Sequence, residues 1–285
     1  MVSPWGGPVS EQDGTEGAAP LDLRELSAHL RQPRLGGRVA IVTGAGHGLG
    51  AAYAERLAAE GASVAVAELD GDAGAAVAER ITAAGLDAMA VTTDVADPAS
   101  TEAMAAAVLA RYGRIDVLVN NAAIFATVPM SRLPFDQIPV EEWDAMMAVN
   151  LRGTWLASRA VIPAMRARGY GKILNVSSGT ALKGSASRIH YVTSKAGILG
   201  FTKTLAREVG PDGIRVNCVA PGNTLSEDDP APDVLALRSS AAADRALRRV
   251  ERPGDLVGAV VFFASSDSDF VTGQTLVVDG GALMH

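Results

Sequence analysis

Short apolar runs alternate with helical patterns along most of the chain, and this alternation limits the possible folds more than any other feature. The apolar runs predict strands at 39–42, 63–67, 88–92, 115–119, 172–176, 214–219 and 275–278. Helical patterns lie between them at 50–59, 72–84, 100–112, 140–168, 191–209 and 253–264. Continuously apolar strands, each followed by a crossover helix, form a parallel sheet covered on both faces. The sequence therefore predicts an α/β fold: a doubly wound (Rossmann) parallel sheet of about seven strands, with ligands at the carboxyl ends of the strands.

Composition excludes several classes of function. The chain has 285 residues, of which 48% are hydrophobic, so it can bury a full core. Its formal net charge of −7 argues against nucleic-acid binding, which needs clustered Lys and Arg. The single cysteine, Cys218, and four scattered histidines offer no metal-ligand spacing, and we therefore predict no metal site.

The N-terminal part differs in composition from the rest. Residues 1–20 are rich in Gly, Pro and acidic side chains and are expected to form a disordered extension. Residues 21–36 have leucines at roughly helical spacing and predict a short helical lead-in. Residues 37–285 are expected to form a single catalytic domain. No apolar run approaches the roughly 20 residues that span a bilayer, so we expect a cytoplasmic protein without membrane contact.

A glycine-rich loop, "TGAGHGLG", follows the first strand and precedes an alanine-rich helix. The predicted phosphate cradle consists of the four glycines of this loop and the two residues that separate the last three of them: Gly44, Gly46, His47, Gly48, Leu49 and Gly50. The N–H groups at the start of a helix present partial positive charge to a pyrophosphate. A dinucleotide is therefore expected there, although a glycine turn without a ligand is the alternative for this motif alone.

Glu68 ends the second strand, about twenty residues after the glycine loop. An acidic side chain at this position accepts hydrogen bonds from the adenosine ribose and repels a 2′-phosphate. Leu69 follows it, and His47 occupies the loop, so neither position supplies an arginine or lysine for that phosphate. We therefore predict NAD, with NADP less favoured; the alternative role of Glu68 is a solvated residue at the end of a strand.

An acid/base pair lies in "VSSGTALKGSASRIHYVTSKAG". Tyr191 and Lys195 are four residues apart, so on a helix they share a face. A nearby ammonium group lowers the pKa of a tyrosine and makes it a workable base. Ser177 and Ser178 follow the preceding strand at the ligand-binding edge of the sheet. Taken alone, the Tyr/Lys spacing is also compatible with an ordinary helix face.

Together these segments make the sequence similar to the short-chain dehydrogenase/reductase family, from residue 35 to the end. The resemblance rests on an ordered set of motifs: "TGAGHGLG" at 43–50, "DV" at 94–95, "NNAA" at 120–123, "VN" at 149–150, "VSS" at 176–178, "YVTSK" at 191–195, "NCVAPG" at 217–222 and "VDGG" at 278–281.

The resemblance implies a catalytic set of four residues. Tyr191 would exchange a proton with the substrate oxygen, and Lys195 would lower its pKa and bind the nicotinamide ribose. Ser178 would hydrogen-bond the reacting oxygen, whereas Ser177 would face the sheet. Asn150 matches the asparagine that holds a water in the proton relay; its alternative role is to satisfy backbone groups.

The resemblance also places the cofactor. Six residues would lie along it: Asp94 and Val95 by the adenine, Asn121 and Ala122 beside the two riboses, and Pro221 and Gly222 by the carboxamide. The chain departs from the family pattern at Ala123, where glycine is usual, and after Gly222, where Thr224 replaces an apolar residue and Ser226 a threonine. Residues 226–249 are the expected substrate lid, or alternatively a solvated charged helix.

These observations predict an NAD-dependent oxidoreductase acting on a small secondary alcohol or its ketone or aldehyde. Lys183, Arg188 and His190 could attract an anionic substrate, although exposed cations are usually only solvated. Two alternatives are an NADPH-dependent 3-oxoacyl thioester reductase of the same fold and a non-catalytic nucleotide-binding scaffold. The resemblance further implies a homo-oligomer, a tetramer or a dimer, formed through the helices predicted at 140–168 and 191–209.

Overall fold

The computed structural model of the chain describes residues 33–125, 130–227 and 230–284. In this part of the chain, seven strands form one sheet: β1 Val39–Thr43, β2 Ser63–Glu68, β3 Ala88–Thr92, β4 Val117–Asn120, β5 Gly171–Val176, β6 Ile214–Pro221 and β7 Thr275–Val278. All pairings are parallel, in the order β3-β2-β1-β4-β5-β6-β7. The predicted doubly wound sheet is confirmed. The strand order reverses between β1 and β4, so the ligand crevice is expected at their carboxyl ends.

Helices cover both faces of the sheet. They are α1 Gly48–Ala59, α2 Gly71–Ala83, α3 Pro98–Tyr112, α4 Val140–Met147, α5 Gly153–Arg168, α6 Thr180–Lys183, α7 Ile189–Val209, α8 Pro232–Ser240 and α9 Val257–Ala264. Local sequence explains several of their ends. Asp70 and Asp97 cap α2 and α3 by accepting hydrogen bonds from backbone N–H groups of the first turn, and Gly113 ends α3 in the left-handed conformation.

Two apolar clusters flank the sheet because β1, β4 and β5 are buried on both faces. On one side, Val42 and Val119 pack with Leu57 of α1 and Val260 of α9. On the other side, the cluster includes Ile41, Leu118, Val108, Met165 and Ile173. This double burial holds the carboxyl ends of the central strands in fixed positions beside the site.

The helix predicted over 140–168 is interrupted. A wide π-helical turn, Ala148–Arg152, separates α4 from α5 and contains Asn150. The apolar pattern of the sequence runs through this turn without a break, so hydrophobic periodicity gives no sign of it.

The N-terminal predictions fall mostly outside the described residues. The predicted extension at 1–20 and the predicted helical lead-in up to residue 32 lie outside the described residues. Residues 34–37 are described and form a turn rather than the end of a helix. Leu35 in this turn is fully buried, and its N–H donates to the carbonyl of Glu60 at 2.9 Å. Among the described residues, none of the helices has the length and apolar character needed to cross a membrane.

Candidate active site

A cavity of about 750 Å³ opens at the carboxyl ends of the strands. It is of the size that holds a dinucleotide or a drug-sized ligand. The predicted site residues that line it are Gly44, His47, Gly48, Leu49, Gly50, Glu68, Asp94, Val95, Asn121, Ala122, Ser178, Tyr191, Lys195, Pro221, Gly222 and Thr224. Gly46 and Asn150 do not belong to its wall. One crevice therefore brings together residues that are spread over most of the sequence.

The glycine loop needs its glycines for close contacts within the protein. A Cβ on Gly44 would lie 2.6 Å from the Cα of Ala122, and one on Gly50 would lie 2.0 Å from the carbonyl oxygen of Gly44. Gly44 also has a φ of +63°, which favours glycine. His47 precedes α1, and its side chain does not cap the first N–H groups of this helix. The loop thus places the N-terminus of α1 at the cavity wall, and the side chain of His47 does not cap it.

Glu68 fastens this loop to the end of β2. Its Oε2 accepts a 2.8 Å hydrogen bond from the N–H of Gly46, and its Oε1 accepts from the N–H of Leu69 at 2.8 Å and of Asp70 at 3.3 Å. The carboxylate lies on the cavity wall, at the position predicted from the sequence. Glu68 therefore shapes the loop as well as placing negative charge at this end of the cavity.

Asn121 links the ends of β1 and β4. Its side-chain amide donates to the carbonyl oxygens of Thr43 at 3.1 Å and Gly44 at 2.9 Å, and its backbone N–H donates to the Thr43 hydroxyl at 3.1 Å. These bonds bring Ala122 against the glycine loop. Asp94 accepts from the N–H of Ala96 at 2.8 Å, which turns the chain after β3 along the cavity edge.

Tyr191 lies near the start of α7 and is only 6% exposed. Burial raises its pKa above the ordinary value, and this effect outweighs a hydrogen bond with Ser178 and the charges of Arg188 and Arg238, which lower it. The lowering of this pKa by Lys195 that the sequence predicts does not appear among these effects. The cations that lower the pKa of Tyr191 in the structure are the two arginines, which the residue spacing of "YVTSK" does not reveal.

Lys195 lies one turn after Tyr191 and is 3% exposed. Its Nζ donates a 2.8 Å hydrogen bond to the carbonyl of Val176 and lies 6.0 Å from the centre of the Tyr191 ring. Burial lowers its pKa to about 8. Both residues line the cavity, in the arrangement that a shared helix face predicts.

The two serines after β5 have different hydrogen-bond partners. Ser177 is buried, and its hydroxyl donates to the carbonyl of Lys195 at 2.7 Å, so it joins β5 to α7. Ser178 lines the cavity, where its oxygen accepts a 3.0 Å hydrogen bond from the Thr180 hydroxyl. Both serines belong to the cavity wall, so the division predicted from the sequence, with Ser178 toward the ligand and Ser177 toward the sheet, stays a prediction.

Asn150 lies in the π-helical turn and is 1% exposed. Its Oδ1 accepts from the N–H of Ile124 at 2.7 Å, and its Nδ2 donates to the Ser194 hydroxyl at 3.1 Å. Its carbonyl oxygen accepts from the Thr154 hydroxyl at 3.0 Å. Asn150 thus ties the segment after β4 to the helix that carries Tyr191, which is the alternative role that the sequence allowed.

The loop after β6 rests on a buried carboxylate that the sequence did not identify. Glu251, 5% exposed, accepts from the Thr224 hydroxyl at 2.5 Å and from the N–H of Gly222 at 3.2 Å. Arg245 pairs with the same carboxylate at 3.3 Å. Burial raises the pKa of Glu251. Thr224 lines the cavity, but its hydroxyl is used to hold the loop.

Sequence reasoning also missed Thr93, Phe125 and Arg238 as wall residues. Phe125 packs against Tyr191, with ring centres 5.1 Å apart and ring planes tilted by 33°. His190 is fully buried and its Nε2 lies 3.0 Å from Oε1 of Glu142, so it serves the packing of α7 on α4. The only sequence signal for Arg238 was the arginine content of 226–249.

These residues fit a bound nicotinamide dinucleotide. The cavity has the required size, the uncapped helix N-terminus lies beside the glycines, and a carboxylate stands at the end of β2. The acid/base candidates, Tyr191 and Lys195, lie farther along the same cavity.

Comparison with known proteins agrees with this geometry. The family model described as enoyl-(acyl carrier protein) reductase matches residues 44–283. The chain belongs to the short-chain dehydrogenase/reductase family. It is 42% identical over 252 residues to the short-chain reductase protein NovJ of Streptomyces niveus, covering 85% of this chain and 93% of the relative. It is 39% identical over 254 residues to trans-4-hydroxycyclohexanecarboxylate dehydrogenase of Sinomonas cyclohexanicum, covering 87% and 93%.

A solved structure shares the fold of this family member. The crystal structure of a putative short-chain alcohol dehydrogenase from Sinorhizobium meliloti 1021 superposes with a TM-score of 0.81 at 32% identity. The match covers 88% of this chain and 98% of the other. The family and the doubly wound fold predicted from the sequence are therefore confirmed, and the chain is an oxidoreductase of this family.

Proposed function

We propose that this protein interconverts a small secondary alcohol and its ketone or aldehyde, using NAD. The observation that carries the proposal is the meeting of Ser178, Tyr191 and Lys195 in one cavity with the glycine loop. A scaffold that only bound a nucleotide would have no need of a buried tyrosine beside a buried lysine, because burying both groups is costly.

The chain's own residues would supply the proton chemistry. Ser178 would hydrogen-bond the substrate oxygen, and the Oη of Tyr191 would give a proton to that oxygen in reduction or remove it in oxidation. Lys195, held by Val176, would keep positive charge near the phenol and bind the ribose. Hydride exchange is the chemistry that a bound nicotinamide supplies. Asn150 is proposed to hold the relay water while its side chain positions α7.

Two side chains at the end of β2 support the preference for NAD: the negatively charged Glu68 and the uncharged Leu69. Glu68 places a carboxylate on the wall, where it would repel a 2′-phosphate and accept bonds from ribose hydroxyls. The next residue, Leu69, is 64% exposed and carries no charge. The Sinomonas relative, named as a dehydrogenase of a ring hydroxyl, supports a secondary alcohol as the reduced substrate.

Titration with NADH and NADPH tests the cofactor assignment, with energy transfer from tryptophan to the bound nicotinamide as the signal. Tighter binding of NADH is expected, followed by NAD reduction at 340 nm when a panel of secondary alcohols is supplied. Tighter binding of NADPH would contradict the NAD proposal. No binding of either dinucleotide would contradict the enzyme proposal as a whole.

A second candidate is the NADPH-dependent reduction of 3-oxoacyl thioesters. The description of the matching family model, an acyl carrier protein reductase, favours it. Glu68 argues against this candidate, because its carboxylate would repel the 2′-phosphate of NADPH. Oxidation of NADPH on addition of acetoacetyl-coenzyme A, faster than with any simple ketone, would place this candidate first.

We further propose that residues 37–285 form one catalytic domain and that the protein is a homo-oligomer, a tetramer or a dimer. Trp155 on α5 is 47% exposed and lines a surface hollow with Leu151 and Phe201. These partly exposed apolar side chains lie on the helices through which the subunits are predicted to associate, and they support a contact with a second copy of the chain. Elution as a monomer in size-exclusion chromatography would contradict it. Cytoplasmic location stays a prediction.

A further inference from the structure

Arg188 stands beside the catalytic tyrosine and has no acidic partner among the described residues. It precedes α7 and lines the cavity, and its guanidinium lies 5.9 Å from the ring centre of Phe125, which packs against Tyr191. Its Nε is buried and makes no hydrogen bond within the described part of the chain. Burial and the charges of Arg132 and Arg238 all lower its pKa, and Tyr191 is the group that raises it. Arg188 thus has two arginines and no carboxylate among the charges that shift its pKa.

Arg238, on α8, lines the same cavity, and its charge acts on Arg188. It is 6% exposed, and its two terminal nitrogens are used: Nη1 donates to Oδ1 of Asn223, and Nη2 pairs with Oε1 of Glu227 at 3.0 Å. Its Nε is buried and, like that of Arg188, lacks a partner among the described residues. We refer to Arg188 and Arg238 together as the arginine corner.

The charge balance of the arginine corner favours a monoanion. Glu227 neutralises Arg238, whereas Arg188 has no carboxylate partner in the described part of the chain, so one positive charge is left over. An arginine near a tyrosine can act through its charge alone, by repelling other cations. A buried N–H donor without an acceptor is unfavourable, however, so the unpaired Nε groups favour a bound acceptor. An oxyanion that accepted from both of these donors would satisfy them together. Arg132 and Lys183 are exposed and add only diffuse attraction.

We propose that the arginine corner binds a carboxylate carried by the substrate, so that this enzyme acts on hydroxy acids and the corresponding oxo acids. This inference rests on the proposed function, because it concerns the substrate that Tyr191 would serve. A guanidinium offers planar, paired donors that match a carboxylate better than they match a neutral hydroxyl or ester. The anion would orient the substrate, with its hydroxyl-bearing carbon toward Ser178 and Tyr191.

Calorimetric titration of the full-length protein, saturated with NADH at pH 7.5, tests the arginine corner. Two probes of equal shape are compared, cyclohexanecarboxylate and its neutral amide. The wild-type protein should bind the carboxylate about 10- to 100-fold more tightly, as charge-assisted hydrogen bonds predict. Arg188→Gln should abolish this preference, Arg188→Lys should retain part of it, and both should bind NADH normally. Arg111→Gln, which removes an exposed arginine on α3, should keep the full preference.

Several outcomes would overturn the inference. Equal binding of carboxylate and amide by the wild type, no measurable binding of the carboxylate, or an unchanged preference in Arg188→Gln would each do so. Tighter binding of cyclohexyl phosphate than of the carboxylate would overturn the assignment of a monoanion. If NADH does not bind, the proposed function fails, and the carboxylate preference is then measured without NADH, so the two failures remain distinguishable.

Discussion

The Nζ of Lys195 donates a 2.8 Å hydrogen bond to the carbonyl oxygen of Val176, the last residue of β5. This bond anchors the side chain at the end of the central sheet, directly behind the cavity wall. Because the group is buried, its pKa falls from 10.5 to about 8. A single backbone carbonyl is a poor substitute for water around an ammonium, so the charge of Lys195 lowers the stability of the fold while serving the site.

Lys195→Met is expected to make the protein more stable at pH 7 and catalytically inactive. The folded pKa is depressed, so between pH 8 and 10.5 the unfolded chain binds more protons, and stability rises with pH in that window. The full effect is on the order of 3 kcal/mol, and the wild type should gain about 2 kcal/mol relative to the variant from pH 7 to 9.5. Urea unfolding at several pH values measures it. Lys203→Met, which removes an exposed lysine of the same helix, is the matched control for the change from lysine to methionine. A pH-independent difference in stability between the wild type and Lys195→Met would contradict the lowered pKa of Lys195.

Tyr191→Phe should lower kcat by about 10²- to 10⁴-fold, the usual contribution of general acid/base catalysis, while leaving the Kd for NADH nearly unchanged. The variant removes only the hydroxyl, and the ring keeps its contact with Phe125. Steady-state rate assays with a secondary alcohol measure kcat, and titration with NADH measures Kd. Joint loss of binding and turnover would show that Tyr191 supports the fold of the cavity instead of moving a proton.

The pH profile of alcohol oxidation should rise toward high pH, because the phenol must lose its proton to act as a base and burial raises the pKa of Tyr191. Since the charge of Arg188 lowers that pKa, Arg188→Gln should move the rising limb to higher pH. A neutral alcohol such as cyclohexanol is used, so that loss of anion binding does not enter the result. Arg111→Gln should leave the limb in place, and an unshifted limb in Arg188→Gln would separate this arginine from the acid/base step.

The sheet was predictable because its strands are buried on both faces, which leaves runs such as 39–42 and 172–176 uniformly apolar. The residues around the cavity were predictable where ordered motifs mark them, as with Gly44, Ser178 and Tyr191. In each case the signal is local in sequence. The chemistry then follows from the rule that parallel strands bring their carboxyl ends to one edge.

Contacts between distant segments were not predictable. The charge of Arg238, on a helix far along the chain, lowers the pKa of Tyr191, and Glu251 binds the loop at Thr224 from a separate turn. The direction of the pKa shift of Tyr191 depends on burial, which a four-residue spacing does not contain. The π-helical turn at Ala148–Arg152 likewise lacks a pattern of its own, since its residues would suit an α-helix equally well.

Glu68→Ser combined with Leu69→Arg should shift preference from NADH toward NADPH. The double change removes the negative charge and adds a guanidinium at a 64% exposed position beside the cavity, where it needs no burial. A change of about 10- to 100-fold in the ratio of the two Kd values is expected, because a charge-assisted hydrogen bond to the 2′-phosphate replaces a repulsion. Leu69→Gln alone is the control and should leave the ratio near that of the wild type. An unaltered ratio in the double variant would mean that Glu68 acts only on the glycine loop.

Gly50→Ala and Gly200→Ala should have opposite effects on stability, although each adds one methyl group to a helix. At Gly50 the new Cβ would lie 2.0 Å from the carbonyl oxygen of Gly44 and 2.6 Å from Nδ2 of Asn121, so the loop must move. We expect a loss of about 1–3 kcal/mol or more, together with loss of NADH binding. Gly200 lies in α7, where an added Cβ would meet no described atom of a neighbouring element within 4 Å, and alanine there should raise stability by about 0.5–1 kcal/mol. Urea unfolding and NADH titration measure both variants. Normal NADH binding by Gly50→Ala would show that the loop can relax without losing its cradle, and the close packing of Gly50 against Gly44 would then not be what shapes the site.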